Sequence, residues 1–418
     1  MIPREGEALA DAGERSGAEP SRAGRQQLHF LNSVACQKES KYFLHGEIRY
    51  VRRFVQPKAR PTLIHSNDIY AHIGMALYPS ADQIDKSAPA LSRNTDLTPK
   101  HTIQAHAGAV HVARYNPGGR YLLTGGGDQQ IHLWNAKTGV SDEVDSKGRS
   151  PCIQRYSAHS YEVLCLDIAP DSMRFASAGP DRAVMLWDVA TGQVFRRFHS
   201  HTGRIHDVRF AGAHDDGSLL YTGGSDKTLR AFDLRASNAW RPIWEASDAQ
   251  DAILALAPTP NCVHTASVDG ALRTYDVRMG QLRTDMLDEP ITSLTPTKDG
   301  AAMLVTQLSS THRLMDLADG TQLQCFQGHT QNAFRCHSDL SRDEAVVFSG
   351  DETGHLYAWD TLKGQVKWAH KPDMRGSLRH RRAPHVPVTI LWTETCPDEQ
   401  DPQVVTASSC GTVHVWSR

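Results

Sequence analysis

The sequence predicts an all-β fold, a seven-bladed β-propeller of four-stranded sheets behind a largely disordered N-terminal extension. Three observations carry this. An aromatic or large apolar residue followed by Asp or a near equivalent recurs seven times: Trp134-Asn135, Trp187-Asp188, Phe232-Asp233, Tyr275-Asp276, Met315-Asp316, Trp359-Asp360 and Trp416-Ser417. Spacings of 53, 45, 43, 40, 44 and 57 residues lie around the ~40–45-residue period of a propeller blade. Each unit also alternates short apolar strands with turn residues, as in VLCLDIA, PDS, RFASA, GPDR and AVMLWDV. No long amphipathic helix pattern follows residue 99.

The elements follow in order. Residues 1–27 hold no aromatic residue and no Val, too little apolar surface to offset the entropy of ordering them. Residues 28–72 carry aromatic residues among Lys and Arg without a clean period, and 79–98 return to a linker composition. The extension is therefore placed at 1–98 and the propeller at 99–418. Met75 opens an Ala/Pro/Ser lead to the propeller, so residues 1–74 are expected to be a disordered tail or the product of an upstream start. Lys58–Ile64 loosely matches a kinase docking peptide.

Within a blade, a His before the first strand, a Ser or Thr in the second, an Asp four residues on and a Trp six further can form one buried hydrogen-bonded chain. Each bond contributes about 1 kcal/mol, and a buried member left unpaired costs about 1–3 kcal/mol. Blade 1 offers His106, Thr124, Asp128 and Trp134; blade 2, His159, Ser177, Asp181 and Trp187; blade 3, His201, Thr222 and Asp226, with Phe232 in the Trp place. Blade 4 keeps Thr265 and Asp269, blade 5 only Ser309 and Met315, blade 6 His329, Ser349 and Trp359 with Thr353 in the Asp place, and blade 7 Thr406, Cys410 and Trp416. Blades 1–3 are thus expected to be the most regular and blade 5 the least. Only Ser417 and Arg418 follow Trp416, so Lys100–Gln104 is expected to supply the missing strand of blade 7, closing the ring and removing two open sheet edges.

Composition narrows the function. The 418 residues hold 45 Lys and Arg against 47 Asp and Glu, a net charge of −2, which gives no reason to expect wholesale binding to nucleic acid or an anionic membrane. No apolar run approaches the ~18 residues of a transmembrane helix, and the first 25 residues, with four Arg and four Glu, do not read as a secretory signal. Eight scattered Cys without a Cys-x-x-Cys pair fit a reducing compartment. Among 22 His, His199, His201 and His206 lie close together, but no zinc motif accompanies them. With no nucleophile elbow, P-loop or dinucleotide fingerprint, no enzyme, cofactor or metal is expected.

The repeats resemble WD40 repeats. HSYEVLCLDIAPDS (159–172), AVMLWDVATGQVFRRFHSHTGRI (183–205), VDGALRTYDVRMGQL (268–282) and CFQGHTQNAFRCHSDLSRDEAVVFSG (325–350) further resemble the mitogen-activated protein kinase organizers, a WD40 group also described as spliceosome-associated. The resemblance spans roughly residues 100–418. It implies a non-catalytic monomeric scaffold that assembles kinase-cascade components or takes part in pre-mRNA splicing complexes, in cytoplasm and nucleus, with proteins as partners and no membrane. The N-terminal residues, the insertion 140–151, the basic stretch 374–387 and the acidic stretch 393–403 depart from that group.

Propellers bind partners through loops entering the first strands. There the candidates are Tyr161, Glu162, Arg204, Gln331, Asn332 and Phe334, since Tyr and Arg are favoured anchors. The basic loop 375–382 adds Arg379, Arg381 and Arg382, through which RNA phosphate could be met in a salt-dependent way. One alternative remains: Phe232-Asp233-Leu234-Arg235 and Tyr275-Asp276-Val277-Arg278 are degenerate copies of an ending that resembles the motif of substrate receptors of cullin-type ubiquitin ligases.

Overall fold

The computed structural model describes residues 40–44, 47–51, 97–136, 152–212, 216–236, 240–372, 388–398 and 402–417. The chain forms two compact units, Met1–Leu63 and Ile64–Arg418. In the first, Ser40–Leu44 and Glu47–Val51 pair as an antiparallel hairpin, with Ser40 opposite Val51. Nothing in the sequence pattern of 28–72 marks this hairpin. The docking-peptide match at 58–64 and the Met75 lead lie outside the described residues.

The second unit contains seven four-stranded antiparallel sheets. Blade 1 is built from Val110–Tyr115, Tyr121–Gly126, Gln130–Asn135 and Gln154–Ser157; blade 4, typical of the rest, from Ile253–Pro258, Cys262–Ser267, Ala271–Asp276 and Gln281–Met286. Blade 7 takes three strands from the C-terminal end, Ile390–Thr395, Gln403–Ser408 and Thr412–Ser417. Its fourth is Thr98–Gln104, which pairs with Thr412–Ser417 from Thr98↔Ser417 to Gln104↔Thr412. Ile103 on that strand is fully buried, so closure is apolar as well as hydrogen-bonded.

One register serves all seven blades. The blade-ending residue always lies opposite the second-strand residue twelve positions earlier: Trp134↔Leu122, Trp187↔Phe175, Phe232↔Leu220, Tyr275↔Val263, Met315↔Met303, Trp359↔Val347 and Trp416↔Val404. The turn joining these two strands is also shared. Its left-handed residue is Gln129, Arg182, Lys227, Gly270, Ser310, Gly354 or Gly411, with φ between 55° and 91°. At Gly411 a side chain would meet the His106 carbonyl, at the seam where Ala105 N and His106 N donate to the Gly411 carbonyl at 3.0 and 3.1 Å.

The core is divided among the interfaces between neighbouring sheets. Ile103, Val112, Trp134, Phe175, Trp187 and Val405 fill the seam of blades 7, 1 and 2, and Phe198 and Phe232, with ring centroids 4.7 Å apart, fill that of blades 2 and 3. Outer strands add a second tie to the next blade. The Tyr156 hydroxyl donates to the Val189 carbonyl at 3.1 Å, Arg196 to Leu234 at 3.2 Å, Arg283 to Leu317 at 2.7 Å and Gln324 to Leu362 at 2.7 Å.

Candidate functional site

The face of the ring is shaped by how firmly each blade holds the loop entering its first strand. In blade 1, His106 Nδ1 lies 2.8 Å from Asp128 Oδ1 and Nε2 2.8 Å from Thr124 Oγ1, and Trp134 Nε1 donates to Thr124 Oγ1 at 3.0 Å. The indole hydrogen occupies one lone pair of the hydroxyl, whose own hydrogen is free for His106 Nε2, leaving the Nδ1 hydrogen to the carboxylate. Asp128 also accepts from Ala107 N at 3.1 Å. Burial pushes its carboxyl up, yet the His106 hydrogen bond and charge outweigh this and hold it below its ordinary range.

Blade 2 repeats the chain with His159, Asp181, Ser177 and Trp187 at 2.5, 2.6 and 2.8 Å. In blade 3, His201 reaches Asp226 at 2.9 Å and Thr222 at 2.7 Å, and Phe232 ends the chain without a donor. Asp226 instead gathers Thr202 N, Thr228 Oγ1 and Arg230 Nη1 at 3.1, 2.8 and 3.3 Å.

The remaining blades diverge. Blade 4 replaces the absent His with Arg273, whose Nη2 donates to Asp269 at 2.7 Å and Nη1 to Ser267 Oγ at 2.7 Å. Blade 5 pairs His312 Nδ1 with Thr306 Oγ1 at 3.1 Å, and Ser309 is exposed. In blade 6, where Thr353 stands in the Asp place, His329, Ser349 and Trp359 form no chain. With no carboxylate at 353, His329 stacks on His312 at 4.1 Å, and Trp359 Nε1 donates to the Gln327 carbonyl at 2.9 Å instead of to Ser349. Blade 7 keeps the Trp416 bond to Thr406 at 2.9 Å, while Cys410 lies against Ser408 and Thr412.

On the face above these chains, Tyr161 is 59% exposed. Beside it Glu162 lies 3.2 Å from His111 Nε2. That hydrogen bond outweighs burial and, with His111 and Arg204 charge, holds the Glu162 carboxyl below its ordinary range. Across the ring, Glu352 Oε1 accepts from Asn332 N, Ala333 N and Phe334 N at 2.7, 2.6 and 2.8 Å, so one carboxylate fixes the loop presenting Asn332 and half-buried Phe334. Gln331 is fully buried, its Nε2 donating to Thr292 Oγ1 at 3.1 Å. It is a strut under the loop, not an exposed candidate. Arg379, Arg381 and Arg382 lie outside the described residues. His206 Nε2 lies 2.8 Å from Ser225 Oγ, and no group of three or more metal-ligating side chains is found among the described residues. Among the same residues no helix is long and apolar enough to cross a membrane.

Sequence reasoning missed a girdle of acids around the axis. Each accepts a backbone N–H from a neighbouring blade's first strand: Glu394 from Tyr115 at 3.1 Å, Asp167 from Phe210 at 2.7 Å, Asp207 from Leu256 at 2.8 Å and Asp339 from Thr395 at 2.7 Å. Arg114 bridges blades 1 and 2 through Asp167 at 3.3 Å. The available signal was an acid inside an apolar strand, as in VLCLDIA, since buried carboxylates need partners.

Seven sheets of one register, with His–Ser/Thr–Trp chains rooted on turn aspartates, define a WD-repeat propeller. The family model "WD domain, G-beta repeat" matches residues 97–135, 150–188 and 192–233. The WD repeat domain-containing protein 83 homolog of Dictyostelium discoideum is 28% identical over 342 residues, covering 75% of this chain and 96% of that protein. WD repeat domain-containing protein 83 of Rattus norvegicus is 34% identical over 268 residues, 64% of this chain and 80% of the relative. The chain belongs to the WD repeat domain-containing protein 83 family of WD-repeat scaffolds. Pre-mRNA-processing factor 17 of Homo sapiens is similar at 24% identity over 397 residues, 91% of this chain and 64% of that protein. None of these relatives bears a ubiquitin-ligase name, and Arg235 is folded onto its own Asp233 at 3.1 Å, so the cullin-receptor reading gains no support.

Proposed function

We propose that this chain is a non-catalytic scaffold that gathers proteins of a mitogen-activated protein kinase cascade or of pre-mRNA splicing complexes, acting as a monomeric propeller in cytoplasm and nucleus. Partners engage the face around Tyr161, Glu162, Arg204, Asn332 and Phe334; Arg379, Arg381 and Arg382 add a salt-sensitive contact, through which RNA is met at most indirectly. The observation that carries the reading is likeness along most of the chain to two WD-repeat groups, one named for pre-mRNA processing. The Glu352 anchor supports the choice of face. It fixes the Phe334 loop before any partner arrives, which lowers the ordering cost of binding. Affinity purification of the tagged full chain with mass spectrometry tests the reading. It expects kinase-cascade or spliceosomal proteins well above an untagged control; recovery of neither class overturns it.

A further inference from the structure

The first strands run from the Tyr161 face to the opposite face and line the axis of the ring. At their far ends they enclose a cavity of about 400 Å³. Its rim is apolar, formed by Pro117, Pro258, Pro296 and Pro397 with Phe210. Its charged wall sets Arg114 and Arg209 against Asp167, Asp339 and Glu394.

The charges do not balance. Arg209 Nε is held by Asp207 at 3.2 Å, and Arg114 lies 3.3 Å from Asp167 and 3.8 Å from Glu394. Arg335, deeper along the axis, is turned to the carbonyls of His206 and Thr292 at 2.9 and 3.1 Å. Asp339 has no ion pair within 4 Å among the described residues; it accepts from Thr395 N at 2.7 Å, Thr395 Oγ1 at 2.9 Å and Leu340 N at 2.9 Å, and the Arg114 charge acts on it more weakly than burial does. Burial pushes its carboxyl up to about 6. Burial, further helped by the Asp339 charge, pushes Glu394 up to about 7 against the pull of Arg114. A buried carboxylate short of positive charge is costly, and an entering cation relieves that cost.

We propose that this cavity receives one basic side chain, Lys or Arg, carried on an extended segment of a protein partner, with Asp339 and Glu394 as its counter-ions. The proline rim accommodates the flanking peptide backbone and the alkyl stem, and the carboxylates take the charged head. This rests on the scaffold reading but uses the face opposite Tyr161. An anionic ligand is disfavoured by the same charge excess.

The test uses the full chain and a fluorescent, end-capped pentapeptide Gly-Pro-Arg-Pro-Gly, with a citrulline peptide of equal size as the uncharged control. Fluorescence anisotropy is expected to show saturable binding of the first and at least about tenfold weaker binding of the second. Asp339→Asn is expected to weaken the Arg peptide by at least about tenfold. Pro397→Arg supplies a cation from the rim and leaves every buried carboxylate in place; it is expected to weaken the peptide as much while circular dichroism stays unchanged. Tyr161→Ala/Phe334→Ala is expected to bind the peptide as the native chain does, which separates this site from the other face. Equal binding of the citrulline peptide, native binding by Pro397→Arg, or no saturable binding of the Arg peptide overturns the proposal.

Discussion

Replacing Asp269 with Ala probes the blade whose network the sequence does not spell. Arg273 is 5% exposed at its side chain and Asp269 10%. The guanidinium makes two contacts to the carboxylate, at 2.7 and 3.2 Å. Gln250 N and Ala271 N also donate to Asp269, at 2.8 and 3.0 Å. Asp269→Ala leaves a buried cation with only Ser267 Oγ and removes the acceptor that ties the entering loop to the turn. Removing one partner of a buried ion pair costs about 3–5 kcal/mol, whereas replacing both with apolar groups of similar volume is often close to neutral. Asp269→Ala is therefore expected to lose about 3–5 kcal/mol and Asp269→Ala/Arg273→Met to regain more than half of it. Ser309→Ala, at an exposed position of blade 5, should stay within about 0.5 kcal/mol. Equilibrium urea unfolding of the four proteins, monitored by tryptophan fluorescence, gives the differences. A double variant no more stable than Asp269→Ala would refute the reasoning, because the loss could not then come from the stranded charge.

Three further outcomes follow from the same geometry. Asp181→Ala removes the acceptor of buried His159 and should cost about 1–3 kcal/mol in the same titration. Ile103→Ala, on the fully buried closing strand, should cost about 2–5 kcal/mol, and an unchanged midpoint would mean that Thr98–Gln104 does not seal blade 7. Acidification should destabilise the ring. Burial holds His132, His264 and His329 at about 4 and His206 and His337 at about 3, below the ~6.5 of an unfolded chain. The unfolded state therefore binds more protons as the pH falls below ~6.5, and stability drops. Asp207, Asp339 and Glu394, raised to about 6, 6 and 7, act in the opposite sense, favouring the fold as the pH falls through those values. The five histidines outnumber these three carboxyls, so the melting temperature should fall from pH 7 to pH 5; a flat or rising profile contradicts the assignment of neutral buried histidines.

The ring was legible because its determinants are local and repeated. Trp134, Trp187, Trp359 and Trp416 mark strand ends in units of short strands and turns, which separates them from helical repeats of similar period, and with only three strands readable in blade 7 the segment before His106 was the candidate for its fourth. The triads of blades 1–3 were legible for the same reason, since a fixed spacing sets a fixed register. In blade 6 Thr353 in the Asp place marked the loss of the acceptor, but nothing in the sequence showed that the rings would find stacking and carbonyl partners instead. Arg273 could be taken for an ordinary basic residue of a third strand because only its burial beside Asp269 reveals the substitution for His. Glu352 escaped notice because it lies beside, not at, the Asp place of its own turn, and the girdle acids because they act across blades, between residues such as Glu394 and Tyr115 that lie 279 positions apart in the chain. The surface candidates Tyr161 and Phe334 were found from loop position, whereas the burial of Gln331 depends on Thr292 in another blade and leaves no mark in sequence.

The scaffold account rests most directly on the face that carries Tyr161. Tagged native chain and the Tyr161→Ala/Arg204→Ala/Phe334→Ala variant should be purified side by side and their bound proteins quantified by mass spectrometry, with circular dichroism confirming that both are folded. The account expects the variant to lose most kinase-cascade or spliceosomal proteins recovered with the native chain. Full recovery by a folded variant would contradict it and place the binding surface elsewhere on the ring.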